Sequence, residues 1–251
     1  MMRYFWLLIL ISLLGCSGQT VKKQTAESAK LPLDGIWEGG FDINRRGPYD
    51  FQAIHINGHS TAVSYKAKAL CSGNISGEDG DYFALYNLYA LDGAPFDEAR
   101  ITGTLKDGVI ESYFKTLNGG DVGKLTMTYN PIFENDSSLE LLEGQWSFTD
   151  RDGLVIDAQI SNGVLAGIDS DRCTYSGKFA IINSDFNAYG VRIHIANCHS
   201  VDGEYEGLAY MDSETIDGEN VSIIRMDFVN PLYGFHFDLQ EVEGQLRTKE
   251  I

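Results

Sequence analysis

The sequence predicts an all-β protein: two tandem eight-stranded antiparallel up-and-down barrels behind a signal peptide and a flexible tether. Three observations carry this reading. Aromatic and β-branched runs alternate with glycine turns, in a chain of 251 residues with 27 Gly, 13 Tyr, 13 Phe and only 5 Pro. No helical period appears after Pro32. The body also repeats itself. Landmarks recur in order at offsets between 99 and 109 residues: Gly35-Ile36-Trp37 and Gly144-Gln145-Trp146, Cys71 and Cys173, Gly103 and Gly207, Met127 with Asn130-Pro131 and Met226 with Asn230-Pro231, and Glu143-Gly144 and Glu243-Gly244.

In chain order, residues 1–15 read as a signal peptide. Arg3 precedes an apolar core, Tyr4 to Leu14, about the length of a signal h-region. A bilayer span needs about 20 apolar residues, so this core is too short to cross one comfortably. Residues 16–32 are polar and aperiodic and end at Pro32, which predicts a flexible tether. At about 5–6 Å × √n it would hold the body roughly 20 Å from an anchor point.

The first repeat, 33–141, parses into strands near 35–43, 49–57, 60–67, 69–76, 81–91, 97–105, 108–116 and 122–130. Asn57-Gly58, Asp92-Gly93 and Asp107-Gly108 punctuate them. The second repeat, 142–245, gives strands near 144–149, 153–160, 163–168, 172–183, 188–198, 203–211, 219–229 and 233–240, with Asp152-Gly153, Asn162-Gly163 and Asp217-Gly218 between them. Asn-Gly and Asp-Gly suit two-residue hairpins because both turn positions need positive φ. Eight consecutive hairpin strands leave two open edges unless the sheet closes, so closure into a barrel is expected.

Charge narrows the function classes. The chain has 36 acidic and 19 basic residues, a net charge of −17. Loss of residues 1–15 removes only Arg3, leaving 251 − 15 = 236 residues near −18. Such a surface repels nucleic-acid phosphates, so no nucleic-acid partner is expected, and a cationic envelope protein is the partner class the charge admits. Acidic residues crowd the segments read as turns: Glu78-Asp79-Gly80-Asp81, Asp150-Arg151-Asp152-Gly153, Asp169-Ser170-Asp171 and Asp212-Ser213-Glu214. None has EF-hand spacing, and Asp and Gly are what turns require.

Candidate chemistry is sparse. There is no Gly-x-Ser-x-Gly elbow, phosphate loop or zincin pair, so no catalytic residue, metal site or cofactor is expected and the protein reads as a non-enzyme. His55 and His59 sit four apart, about 13 Å along one strand unless Asn57-Gly58 folds them together. His194 and His199 bracket Cys198 without a Cys-x-x-Cys partner. His236 is isolated.

Cys173 and Cys198 flank one predicted hairpin. Pairing with the sum 173 + 198 = 371 closes a four-residue loop, 184–187, and brings directly opposed Cα atoms within disulfide range. A disulfide is expected there, with Cys71 left free; two buried reduced thiols are the alternative. The alternation Tyr189, Val191, Ile193, Ile195 places Cys198 on the other face, and a β-bulge would reconcile the two.

Two resemblances extend this reading. Leu13-Leu14-Gly15-Cys16, behind its charged and apolar segments, resembles the lipobox of bacterial lipoprotein precursors. The resemblance implies cleavage before Cys16, acylation of Cys16 and attachment to the membrane through its lipid; Ser17 in place of Asp implies sorting to the outer membrane, with the body facing the periplasm. A Gly-x-Trp pair opening an eight-stranded unit resembles the first strand of lipocalin-like (calycin) barrels, in which the Trp plugs the closed end. Together these imply a lipid-anchored cell-envelope protein with a non-catalytic binding or scaffolding role. Two alternatives stay open. An acidic small barrel on a lipid anchor resembles bacterial lipoprotein inhibitors of lysozyme, a cationic cell-wall hydrolase, with Ser76-Gly77 and Tyr82 as the nearest echo of an inhibitory loop. The other is a carrier of a small apolar ligand inside one barrel.

Overall fold

A computed structural model describes residues 33–150 and 152–242. Cys16, the signal segment and the tether expected over 16–32 lie outside the described residues. The chain forms two closed antiparallel barrels of eight strands each, every strand pairing with its neighbour in sequence. The first comprises β1 (Gly35–Ile43), β2 (Arg46–Ile56), β3 (His59–Ser64), β4 (Ala69–Ser76), β5 (Asp81–Ala90), β6 (Pro95–Lys106), β7 (Val109–Thr116) and β8 (Val122–Asn130), and β1 closes on β8. The second comprises β9 (Gly144–Thr149), β10 (Val155–Ser161), β11 (Val164–Asp169), β12 (Thr174–Ile181), β13 (Tyr189–Ala196), β14 (Gly203–Ile216), β15 (Glu219–Val229) and β16 (Gly234–Glu241), and β9 closes on β16. Among the described residues there is no α-helix; 3₁₀ turns at Pro131–Glu134 and Leu139–Leu142 join the barrels.

Four of the six Asn-Gly and Asp-Gly turns take the expected form; in Asp92-Gly93 positive φ falls on Asp92, and in Asp152-Gly153 on Gly153. Asn57-Gly58, Asp107-Gly108, Asn162-Gly163 and Asp217-Gly218 each hold both residues at positive φ, between 49° and 88°. Each barrel also repeats one plug. Trp37 Nε1–H donates to the Leu33 carbonyl at 3.2 Å, and Trp146 Nε1–H to the Leu142 carbonyl at 2.9 Å. Both rings are buried, so a polar tip is satisfied four residues upstream while the indole fills one end of the barrel. Gly207, a repeat landmark, permits a close strand approach: a β-carbon there would collide with the Asp227 carbonyl oxygen.

The two interiors differ. In the second barrel Phe228 packs within 5.0–5.9 Å of Tyr205, Phe235 and Phe237, and Phe148 stacks on Phe237 at 5.2 Å. In the first, inward positions on β2 to β6 carry Ala53, Ala62, Ala69, Cys71, Ala84 and Ala99. Small side chains facing one another across five strands leave space that the aromatic interior of the second barrel fills.

The barrels pack side by side. Ile36, Ile54 and Ile56 on the outside of the first meet Leu208 and Tyr210 of the second, and Val63, Leu70 and Tyr89 meet Val229. Gly93 and Gly234 form a two-way backbone bridge, N–H to O at 3.1 and 2.9 Å. Tyr89 Oη–H donates to the Asn230 carbonyl at 3.1 Å.

Cys173 and Cys198 are disulfide-bonded, Cα atoms 4.9 Å apart, and Cys71 is free. The hairpin register differs from the expected one. Opposed residues sum to 370, not 371, and the loop runs over 182–188 rather than 184–187. This register pairs Phe179 with Val191 and Tyr175 with Ile195, keeping all four inward. The extra residue is Asn197, at φ 63°, just beyond the ladder. The expected irregularity therefore sits at the strand end, and burial of the apolar face fixes the register. One turn assignment is also corrected. Asp212-Ser213-Glu214 lies on β14, which runs to Ile216, because Arg225 on the neighbouring strand takes both carboxylates.

Candidate functional site

The first barrel holds an apolar cavity of about 240 Å³ at the end opposite the Trp37 plug. Phe41 and Ile43 of β1 and Phe51 of β2 form one side, Phe96 and Ala99 of β6 and Phe114 of β7 the other, and Cys71 and Tyr86 lie deeper. Phe41 is the hub of the ring cluster, 5.3 Å from Tyr49, 5.9 Å from Phe51 and 5.8 Å from Phe114, the last two edge-on. Alternation places these side chains inward from their strands, except Phe96, which stands largely exposed at the mouth, and the alanines and Cys71 opposite leave the volume. The Cys71 thiol is pushed up to about 12 by burial and by the nearby Asp227 carboxylate, so it is a neutral lining group rather than a nucleophile.

Asp121 is the charged residue on this wall. Its Oδ1 accepts from Asn44 Nδ2 at 2.6 Å, and its backbone N–H donates to Thr116 Oγ1 at 2.9 Å. The carboxylate is thus fixed at the rim by the β1–β2 and β7–β8 connections.

Below the cavity lies a polar floor. Tyr86 Oη and Ser60 Oγ are 2.6 Å apart, and Tyr86 Oη is 3.5 Å from His55 Nε2. His55 is fully buried, sits 5.9 Å from both Trp37 and Tyr82, and burial drives its pKa down to about 3 against a hydrogen bond that raises it. It is a neutral core imidazole.

A second cavity, about 690 Å³, opens between the barrels where β9 and β16 splay. Its wall includes Tyr65, Lys68, Asp92, Asp150, His236 and Asp238. Beneath it runs a buried ion network. Arg225 reaches Asp212 at 2.7 Å, Asp238 at 3.0 Å and Glu214. His236 donates from Nδ1 to Asp227 at 2.6 Å and from Nε2 to Asp238 at 3.1 Å, and Tyr65 Oη–H donates to Asp238. Burial alone would depress His236, but the two carboxylates outweigh it and hold its pKa at about 10. Burial would likewise raise Asp238, yet His236, Arg225 and Tyr65 hold it at about 2. The network clamps Tyr65 of the first barrel to the second.

The sequence-predicted residues fall as follows. The Asn57-Gly58 turn does fold His55 and His59 together, but His55 points into the barrel and His59 out of it. His194 pairs with Glu204 at 2.9 Å on the surface. Asp169 lies beside Cys173 and Cys198, where their disulfide occupies both sulfurs and Asp169 instead caps the Asp171 and Cys173 amides at 2.9 and 2.8 Å. Tyr82, part of the faint inhibitory-loop echo, is fully buried inside the first barrel. Asp121, Phe41, Phe51, Phe96 and Phe114 escaped sequence reasoning; the signal present was the run of alanines at inward positions, denser in the first half than in the second, whose core holds Ala158 and Ala209. No protein-family model matches the chain, and no curated protein matches it in sequence.

Proposed function

We propose that this is a lipid-anchored cell-envelope binding protein, non-catalytic, whose first barrel carries a small apolar ligand. The apolar cavity walled by Phe41, Phe51, Phe96 and Phe114 carries the reading. Its volume lies just under the usual range for small-molecule sites, about 300–1,000 Å³, so the ligand is small: roughly eight groups of water or methylene size. The second barrel, with its aromatic interior, the disulfide and the ion network, serves as the rigid support against which the first is braced. The lipobox resemblance supports attachment through Cys16, and Ser17 supports outer-membrane sorting; the body is read as facing the periplasm.

Two measurements test this. Cys16→Ala should release the protein from the membrane fraction; a variant still processed and membrane-bound would refute the anchor. Ala99→Leu should fill the cavity and abolish saturable binding of benzyl alcohol, while a melting temperature within a few degrees of the parent shows that the barrel is intact. Undiminished binding by that variant would place the ligand elsewhere.

A further inference from the structure

Resting on the ligand reading above, we propose that the first barrel selects an organic cation: an amine or quaternary ammonium carrying a small apolar body. Three independent features of the cavity converge on this class. The first is its aromatic character. Phe41 stands within 6 Å of Tyr49, Phe51 and Phe114, and two of those contacts are edge-on. Rings gathered at differing angles around one space present π faces to whatever enters, and π faces attract ammonium groups most strongly where water is excluded.

The second is the one carboxylate that lines the cavity. Asp121 lines the cavity and is pinned there by Asn44 and Thr116. Asn44 occupies Oδ1 and is itself neutral, so the pinning does not cancel the charge. An apolar cavity with one fixed carboxylate at its edge repels a carboxylate or phosphate head and complements an ammonium. The third is the field of the whole chain. A net charge of −17 raises the local concentration of cations and lowers that of anions. Arg45 and Arg46 share the rim but are exposed on the β1–β2 tip, where solvent screens them. The neighbouring acids are engaged by backbone amides: Asp97, on the far side of Gly119 from Asp121, accepts those of Glu98, Asn118 and Gly119 at 2.7, 3.0 and 2.8 Å, Asp42 that of Arg45 at 3.3 Å, and Asp50 those of Tyr65 and Lys66 at 2.9 and 2.8 Å.

Calorimetric titration of the full chain in lipid nanodiscs, referenced to empty nanodiscs, separates this from the parent reading. The probes are phenyltrimethylammonium, benzyl alcohol and benzoate, which share one ring and differ in charge. Phenyltrimethylammonium should bind about tenfold tighter than benzyl alcohol at low salt, and benzoate more weakly than either. Asp121→Asn, which keeps the oxygen that Asn44 needs, should remove most of that preference and leave benzyl alcohol unchanged. Equal binding of the ammonium and the alcohol would overturn cation selection while leaving the apolar carrier standing. Binding of none of the three would sink both. A uniform loss across all probes in Asp121→Asn, or no loss at all, would refute the role given to that carboxylate.

Discussion

Replacing Arg225 with Met should destabilise the folded chain by about 3 kcal/mol, and the loss should shrink as the pH falls. The Arg225 side chain is 7% exposed and lies among Asp212, Glu214 and Asp238, whose side chains are 20%, 50% and 21% exposed. Met keeps the apolar stem and deletes the charge, leaving two mostly buried carboxylates short of a cation. Breaking a buried pair from one side costs about 3–5 kcal/mol. The lower end applies because Asp238 keeps His236 and Tyr65, and Glu214 is half in water. With a urea m-value of about 3 kcal/mol/M for a chain of this size, the midpoint should drop by about 1 M near pH 7. Protonation relieves an unpaired carboxylate, so the gap between variant and parent should narrow when the titration is repeated at about pH 4. A midpoint within 0.2 M of the parent, or a gap that widens in acid, would show that the network is not held together as described; 0.2 M corresponds to only about 0.6 kcal/mol.

Three further outcomes are expected. Cys173→Ala with Cys198→Ala should lower stability by about 3.5 kcal/mol on the chain-entropy model for a separation of 25 residues, read by urea denaturation, and non-reducing peptide mapping should find Cys71 unpaired. His236, raised from 6.5 to about 10, contributes stability that is complete below its unfolded pKa and is lost as the pH rises through about 10. Melting temperature should therefore fall across that alkaline window, and His236→Gln should flatten the fall while lowering stability near neutrality. Gly207→Ala should destabilise by about 2 kcal/mol or more, because its methyl meets the Asp227 backbone rather than a movable side chain; a melting scan that places it within about 1 °C of the parent would contradict that packing.

Strand positions were legible because each is a local property. Asn-Gly and Asp-Gly pairs fix where hairpins turn, and alternation fixes which residues face inward, so nearly every boundary fell within a few residues. Non-local properties were not legible. The β12–β13 register depended on Asn197 leaving the ladder, a one-residue event that spacing arithmetic cannot see. Asp212 and Glu214 read as turn residues because their cation, Arg225, lies on the next strand. The cavity was equally hidden. It exists because alanines on separate strands face one another across a closed sheet, and no window of sequence contains that meeting. The charge-carrying role of His236 was hidden as well, because it needs Asp227 and Asp238 to be placed around the ring.

The contact between the barrels has a consequence for assembly. The first barrel offers the outside of β1 to β5, whereas the second offers β14 to β16, which by strand order correspond to β6 to β8 of the first. Such a join runs head to tail, with no two-fold axis, and a head-to-tail join between like units can in principle be extended without limit. Here both free faces carry charge. The outside of β6 and β7 has exposed Glu98, Arg100, Lys106, Glu111 and Lys115 around Tyr113, and the outside of β10 to β13 has exposed Asp157, Gln159, Lys178 and Arg192 around Val164 and Ile168. Each barrel thus buries one face against the other and leaves a charge-bearing face outward, as terminal units of a repeat array do, and those charges oppose the addition of a further like unit.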